Sequence, residues 1–188
     1  MGQWTKASLG LASLVALAGM AACVPQREPI IFAASDSVYL LDRGDKVKVT
    51  VFGQANLSST YTVDASGFVT MPLIGAIPAS GHSTAALQQD IAAKLRAGYL
   101  RQPNVTAEVE TYRPFYVLGE VTLSGQYPYF PGLTAEKAVA IAGGYSPRAR
   151  RDSIVIERRI DGKPMQVLVP MTTLVKPGDV ITVRERWF

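Results

Sequence analysis

From Lys46 to Val51 the chain reads Lys-Val-Lys-Val-Thr-Val, which puts Val47, Val49 and Val51 on one face and polar residues on the other. That alternation predicts a half-buried strand, entered through a Gly44-Asp45 turn. Tyr61-Thr62-Val63 and Phe68-Val69-Thr70 flank Asp64-Ala65-Ser66-Gly67, which predicts a hairpin; Pro72 and Gly75 then interrupt the strand pattern. Between Ser83 and Gly98 the period changes. Leu87, Ile91 and Leu95 recur every fourth residue, one apolar stripe of a helix that Ser83 or Thr84 caps and Gly98 closes. Val105, Ala107 and Val109 return to strand alternation.

A second unit follows Arg113-Pro114. Phe115 to Leu118 is a predicted strand, and Gly119 and Gly125 frame a loop. Thr134 caps a helix onto which Leu133 staples through Ala138, and Ala142-Gly143-Gly144 ends it. Ile154-Val155-Ile156, Val167-Leu168-Val169 and Val180 to Val183 are further strands. The stretch from Val175 to Ile181 echoes that from Leu41 to Val47, and both Gly-Asp pairs read as turns ahead of a strand. The pattern predicts an α+β protein of two small mixed units, residues 36–112 and 113–188. Each is small enough that docking onto the other, or onto further copies, would add burial.

The N-terminus has a different character. A short cationic start (Met1 to Lys6), an apolar run from about Leu9 to Met20, and small Ala21-Ala22 before Cys23 describe an export signal over residues 1–22. About 12 apolar residues at ~1.5 Å each span ~18 Å, short of the ~30 Å hydrocarbon core, and Pro25 stops any extension. Cys23 is the single cysteine and stands where a bacterial lipoprotein signal places its lipidated residue. Met20 replaces the usual Leu three residues before it. Lipidation would anchor the chain firmly, since each buried methylene contributes about 0.8 kcal/mol; the rival reading is a soluble secreted protein with a chance cysteine. Val24, rather than Asp, after the cysteine resembles outer-membrane sorting. Residues 23–35, with Pro25 and Pro29, read as a tether.

Composition narrows the function classes. One Cys excludes an intrachain disulfide framework, and one His excludes a multi-histidine metal site. No phosphate-binding Gly-rich loop with its Lys occurs, and no cofactor is expected. His82, in the Gly81-His82-Ser83 turn, reads as a solvated loop residue. Asp45, Asp64 and Asp179 would be the carboxylates of a glycan-processing enzyme, but each sits in a turn signature that uses Asp for local hydrogen bonding. The net charge of +4 favours acidic partners without requiring any. Its densest cluster is Arg148, Arg150, Arg151, Arg158 and Arg159, whose guanidinium forks match the carboxylates, pyruvyl or phosphate groups of acidic sugars. The same arginines would equally make a solvated face or an ion-paired surface between subunits. Nucleic acid fits the charge but conflicts with export. Tyr127, Tyr129 and Phe130 are stacking candidates for sugar rings and equally candidates for a core.

Tyr39, Leu40, Gly44-Asp45, Val51-Phe52-Gly53, Val63-Asp64, Met71-Pro72, Ile74-Gly75 and Pro103-Asn104-Val105, in this order, resemble the export domain of the outer-membrane polysaccharide-export family. Val117-Leu118-Gly119-Glu120-Val121, Gly125, Leu133-Thr134, Ala142-Gly143-Gly144 and Gly178-Asp179-Val180-Ile181 resemble a soluble-ligand-binding β-grasp (SLBB) domain. Arg43 and Ser124 stand where the family often has Pro. The resemblance implies a lipid-anchored protein on the periplasmic face of the outer membrane. It would be a non-enzymatic, homo-oligomeric ring that passes acidic or neutral polysaccharide onward from an inner-membrane copolymerase. Longer members end in an amphipathic helix that forms the outer-membrane pore; here the sequence ends at Trp187-Phe188, straight after the last strand. The expectation is a short member that forms no pore alone and works with a separate outer-membrane channel protein. The alternative is a periplasmic lipoprotein that binds a glycan or small ligand without transport.

Overall fold

The computed structural model describes residues 38–160 and 162–187. The stretches expected to be an export signal and a tether, with Cys23 between them, lie outside the described residues. Two separate apolar cores organise the chain, one from Leu41 to Ala107 and one from Phe115 to Val183. The architecture is α+β throughout.

In the first unit β1 (Lys46–Val51) is the centre of a three-stranded sheet, flanked antiparallel by β2 (Ser59–Thr62) and β5 (Val105–Thr111). The valines of β1 are 0–1% exposed, the burial that the alternation demanded. β3 (Phe68–Met71) pairs with β4 (Gly75–Pro78) in a hairpin of its own. The hairpin read around Asp64–Gly67 is therefore corrected. That turn does close, through Asp64 N–H to Phe68 O at 2.9 Å, but β2 and β3 leave it for different sheets. Pro72 and Gly75, taken as interruptions, bound the turn between β3 and β4. β4 escaped notice because Pro78 cannot donate to a ladder, which is tolerable only at a strand end.

Helix α1 (Thr84–Arg96) lays Leu87, Ile91 and Leu95, all fully buried, against this core. Ser83 caps it by accepting from Ala86 N–H at 3.1 Å. Its other end departs from expectation: the cap is Ala97 in right-handed geometry, and Gly98 is not in the left-handed region. The Leu95 carbonyl is instead taken by Tyr99 and Leu100 N–H, both at 2.9 Å. Leu100 then packs on the core, so an apolar contact steers the exit where a glycine would otherwise be needed.

The second unit is a five-stranded mixed sheet in the order β7-β6-β10-β8-β9. Its strands are β6 (Phe115–Gly119), β7 (Gly125–Tyr127), β8 (Ser153–Ile160), β9 (Lys163–Pro170) and β10 (Val180–Val183). β6 and β10 run parallel, and the other neighbours antiparallel. The loop expected between Gly119 and Gly125 is followed at once by β7, a three-residue edge strand. Helix α2 (Ala135–Ile141), capped by Thr134, buries Ala135, Ala138 and Val139. The sheet closes around this short helix, the β-grasp arrangement. Tyr127 and Tyr129 pack on this core, while Phe130 is exposed.

Candidate functional site

The two Gly-Asp turns are built alike. In each, the Asp N–H closes a four-residue turn, Asp45 to Asp42 O at 3.1 Å and Asp179 to Lys176 O at 3.2 Å. Each carboxylate accepts in return from the first residue, Asp42 N–H at 2.8 Å and Lys176 N–H at 2.7 Å. Gly44 (φ 89°) and Gly178 (φ 84°) hold the third position, where the turn requires a left-handed residue. The local bonding expected of these aspartates is present, and there is more. Both are buried, at 0% and 1% exposure, and each is met by an arginine.

Asp179 takes Arg158 in a fork, Nε to Oδ1 at 2.9 Å and Nη2 to Oδ2 at 2.7 Å, while Nη2 also donates to Leu174 O at 2.9 Å. Asp45 takes Arg113 from the crossing between the two units: backbone N–H to Oδ1 at 2.9 Å and Nη1 to Oδ2 at 3.4 Å. Arg113 Nη2 also lies 3.6 Å from Asp42. The same guanidinium lies against the other turn, so that a Cβ on Gly178 would come within 2.7 Å of its Nε. Gly178 N–H donates to Pro114 O at 3.0 Å. Edge-to-face rings continue the junction, Tyr39 on Tyr112 at 5.0 Å and Tyr112 on Tyr129 at 5.3 Å. Arg113 thus sits in the first unit's turn and rests on the second's, clasping the units together.

The Tyr39 hydroxyl donates to Asp45 Oδ2 at 2.6 Å. Burial, and then the bond to a carboxylate that would repel a phenolate, push Tyr39 far above the usual tyrosine range. Unfolding frees a phenol that ionises near pH 10.0, so the stability tied to Tyr39 is complete below that pH and declines as pH rises beyond it. Tyr39→Phe should therefore show a smaller loss of melting temperature between pH 9 and pH 11, on the order of those values' span around the free phenol, than the parent chain. Equal losses would mean that Tyr39 ionises freely in the folded state. Asp42, although partial burial opposes it, is held below the usual carboxylate range by the Arg43 N–H, the Ser80 hydroxyl and Arg113.

Above the clasp opens a cleft of about 980 Å³ walled by both units. Asp42, Arg43 and Ser80 line one side, Tyr116, Glu157 and Arg159 the other, and Arg113 lies between. Arg43 occupies the turn corner that Pro177 fills in the second turn, and its side chain is exposed.

The five arginines picked out in the sequence do not share one place. Arg158 is 9% exposed and its fork is committed to Asp179, which corrects its reading as a surface contact. Arg148, Arg150 and Arg151 precede β8, whereas Arg158 and Arg159 stand near its far end, about 17–20 Å past its first residue at ~3.3 Å per residue. Arg148 reaches Glu185 at 3.2 Å and Glu120 at 3.5 Å. Arg150 holds Asp152 in a fork, Nε to Oδ1 at 2.7 Å and Nη2 to Oδ2 at 2.9 Å, keeping that exposed carboxyl well below its usual range. Arg151 lies over the Tyr145 ring at 5.5 Å. Only Arg159 of the five, exposed, borders the cleft with no acidic partner among the described residues.

Asp64 and His82 do not line the cleft, and His82 Nδ1 is buried without a hydrogen-bond partner among the described residues. Asp64 is exposed and accepts from Ser66 and Phe68 N–H. His82 Nδ1 lies 3.5 Å from Asp90. Among the described residues no group of three His, Cys, Asp or Glu is placed to hold a metal ion, and no helix is long and apolar enough to cross a membrane. Sequence reading missed Arg113 and Arg43. Nothing in the local pattern marks Arg113, whose partner lies 68 positions away.

Comparison with known proteins matches residues 33–110 to the polysaccharide biosynthesis/export protein model and residues 114–168 to the SLBB domain model. The exopolysaccharide production protein ExoF of Rhizobium meliloti (strain 1021) is 41% identical over 90 residues, 47% of this chain and 21% of the relative. The polysialic acid transport protein KpsD of Escherichia coli is 29% identical over 126 residues, 64% of this chain and 22% of the relative. The chain thus spans about a fifth of the length of these relatives. The boundary between the two matched models, residues 110 to 114, falls on the crossing that Arg113 clasps. Matched in tandem and in this order, the two models give the chain a polysaccharide biosynthesis/export unit followed by one SLBB domain, the organisation of a polysaccharide export protein.

Proposed function

We propose that this protein is a lipid-anchored, periplasm-facing component of the outer membrane that assembles into a ring through which capsular or exopolysaccharide is exported. The observation that carries this reading is the clasp: two unlike units, an export unit and an SLBB unit, held at a set angle by Arg113 between Asp45 and Gly178. A ring closes when one face of a subunit meets a different face of the next at a constant rotation. Two tandem units joined by a partly buried ionic and aromatic junction supply both the unlike faces and the constancy. Units 36–112 and 113–188 are the building blocks in this reading, with residues 1–22 removed as a signal and 23–35 acting as the tether from lipidated Cys23.

The role is conduit building rather than catalysis. Of the three carboxylates that hydrolysis would call upon, Asp45 and Asp179 are engaged by arginines and turn amides and Asp64 by the amides of its own turn, whereas a glycosidic pair needs one free acid and one free base. Driving force then comes from partners, an inner-membrane polysaccharide copolymerase on one side and a separate outer-membrane channel protein on the other.

Deleting the gene should abolish secreted polysaccharide, and the intact chain should restore it while Cys23→Ala does not. Restoration by Cys23→Ala would remove the anchor from the account. Unchanged secretion in the deletion strain, with no second copy present, would replace the conduit by a periplasmic ligand-binding lipoprotein.

A further inference from the structure

Four guanidinium groups line the cleft between the units, and they differ in what they hold. Arg113 and Arg158 are committed to the buried Asp45 and Asp179. Arg43 and Arg159 are exposed, come one from each unit, and have no acidic partner within ion-pair distance among the described residues. Beside them stand two partly occupied carboxylates. Asp42 accepts from Ser80 Oγ at 3.0 Å and Arg43 N–H at 2.9 Å, and Glu157 accepts from Gln166 Nε2 at 2.8 Å. Tyr116, 39% exposed, borders the same space.

We infer that this cleft binds a carboxylated saccharide segment, an inference that rests on the polysaccharide reading and names where the chain would meet the polymer. The cleft, at about 980 Å³, has the size of sites that take small organic ligands. An arginine fork pairs with a sugar carboxylate through two parallel hydrogen bonds. Carboxylates with unused lone pairs accept from neighbouring hydroxyls, and a tyrosine face packs on the apolar side of a pyranose ring. The mixture of signs selects the ligand class. A dense polyanion such as nucleic acid or polyphosphate would bring its charges against Asp42 and Glu157, whereas a uronic acid brings one charge among several hydroxyls. Because Arg43 and Arg159 belong to different units, one sugar segment would touch both halves of the clasped pair.

The test is calorimetric titration of the full chain in detergent with tetragalacturonate and tetraglucuronate, with maltotetraose as an uncharged counterpart. Saturable binding of either acidic tetramer is expected, with maltotetraose at least about tenfold weaker. Arg43→Gln and Arg159→Gln should each weaken binding by about tenfold, as expected for loss of one charge-assisted fork. Arg96→Gln, on the far end of α1, should leave it unchanged. Indifference to both cleft substitutions, or no binding of either acidic tetramer, would overturn the inference. So would the finding that Arg43→Gln and Arg159→Gln change the mass of the assembly and not sugar binding, because the cleft would then seat a second copy of the chain. These outcomes are separate from the secretion experiment: export that depends on the chain, with no sugar bound in the cleft, sinks this inference alone.

Discussion

Arg158→Met should lower stability by about 3–5 kcal/mol, because it leaves Asp179 buried at 1% exposure without its counter-charge. In thermal unfolding of a chain this size that is on the order of a 10 °C fall in melting temperature. Met keeps the length and apolar character of the stem, so the loss reports the missing charge rather than a cavity. The paired change Arg158→Met with Asp179→Asn should recover part of the loss, since the uncompensated charge is gone while Asn still accepts from Lys176 N–H. Full independence of the two substitutions would show that the fork contributes nothing to the fold. Arg113 should respond more mildly than Arg158. Its side chain is 25% exposed, and Asp45 keeps bonds from Tyr39, from Asp42 N–H and from the backbone at position 113.

Gly119→Ala should be equally damaging for a different reason. Gly119 ends β6 with φ 86°, and a Cβ there would fall 2.2 Å from the carbonyl oxygen of Val183 on the parallel neighbour β10. The obstacle is the backbone of Val183, a buried residue, and it accepts from Glu120 N–H at 3.0 Å, so it has little freedom to move. A non-glycine residue at positive φ costs about 1–3 kcal/mol before any clash is added, and a total of at least about 3 kcal/mol is expected from urea unfolding. Gly53→Ala is the matched control: its φ is 73°, but a Cβ there meets nothing within 4 Å. It should cost only the backbone part. Similar losses at the two positions would mean that the approach of β10 is not tight.

Much of this arrangement was readable where a local period controls burial. Leu87, Ile91 and Leu95 announced α1 and are fully buried, and Val47, Val49 and Val51 announced β1. Partnership between strands was harder. The turn at Asp64–Gly67 has hairpin chemistry, yet Tyr61 and Val69 pack on one core while β2 pairs with β1 and β3 with β4, a choice of partner that the turn does not encode. The signal for Arg158 was present and unused: continuing β8 at period two places Ile154, Ile156 and Arg158 on one face, the buried one, and Arg159 on the other. The resemblance of the two Gly-Asp segments was legible, and so was their turn chemistry. Their arginines were not, because Arg113 and Arg158 approach from 68 and 21 positions away. The cleft, made by docking one unit on another, has no counterpart in any single stretch of sequence.

In the proposed assembly the clasped pair of units is the repeating element of a closed ring. Sedimentation of the full, lipidated chain extracted in mild detergent tests it most directly. One discrete oligomer, whose mass does not grow with concentration, is expected. Monomers at every concentration, or open-ended polymers that lengthen as protein is added, would contradict it.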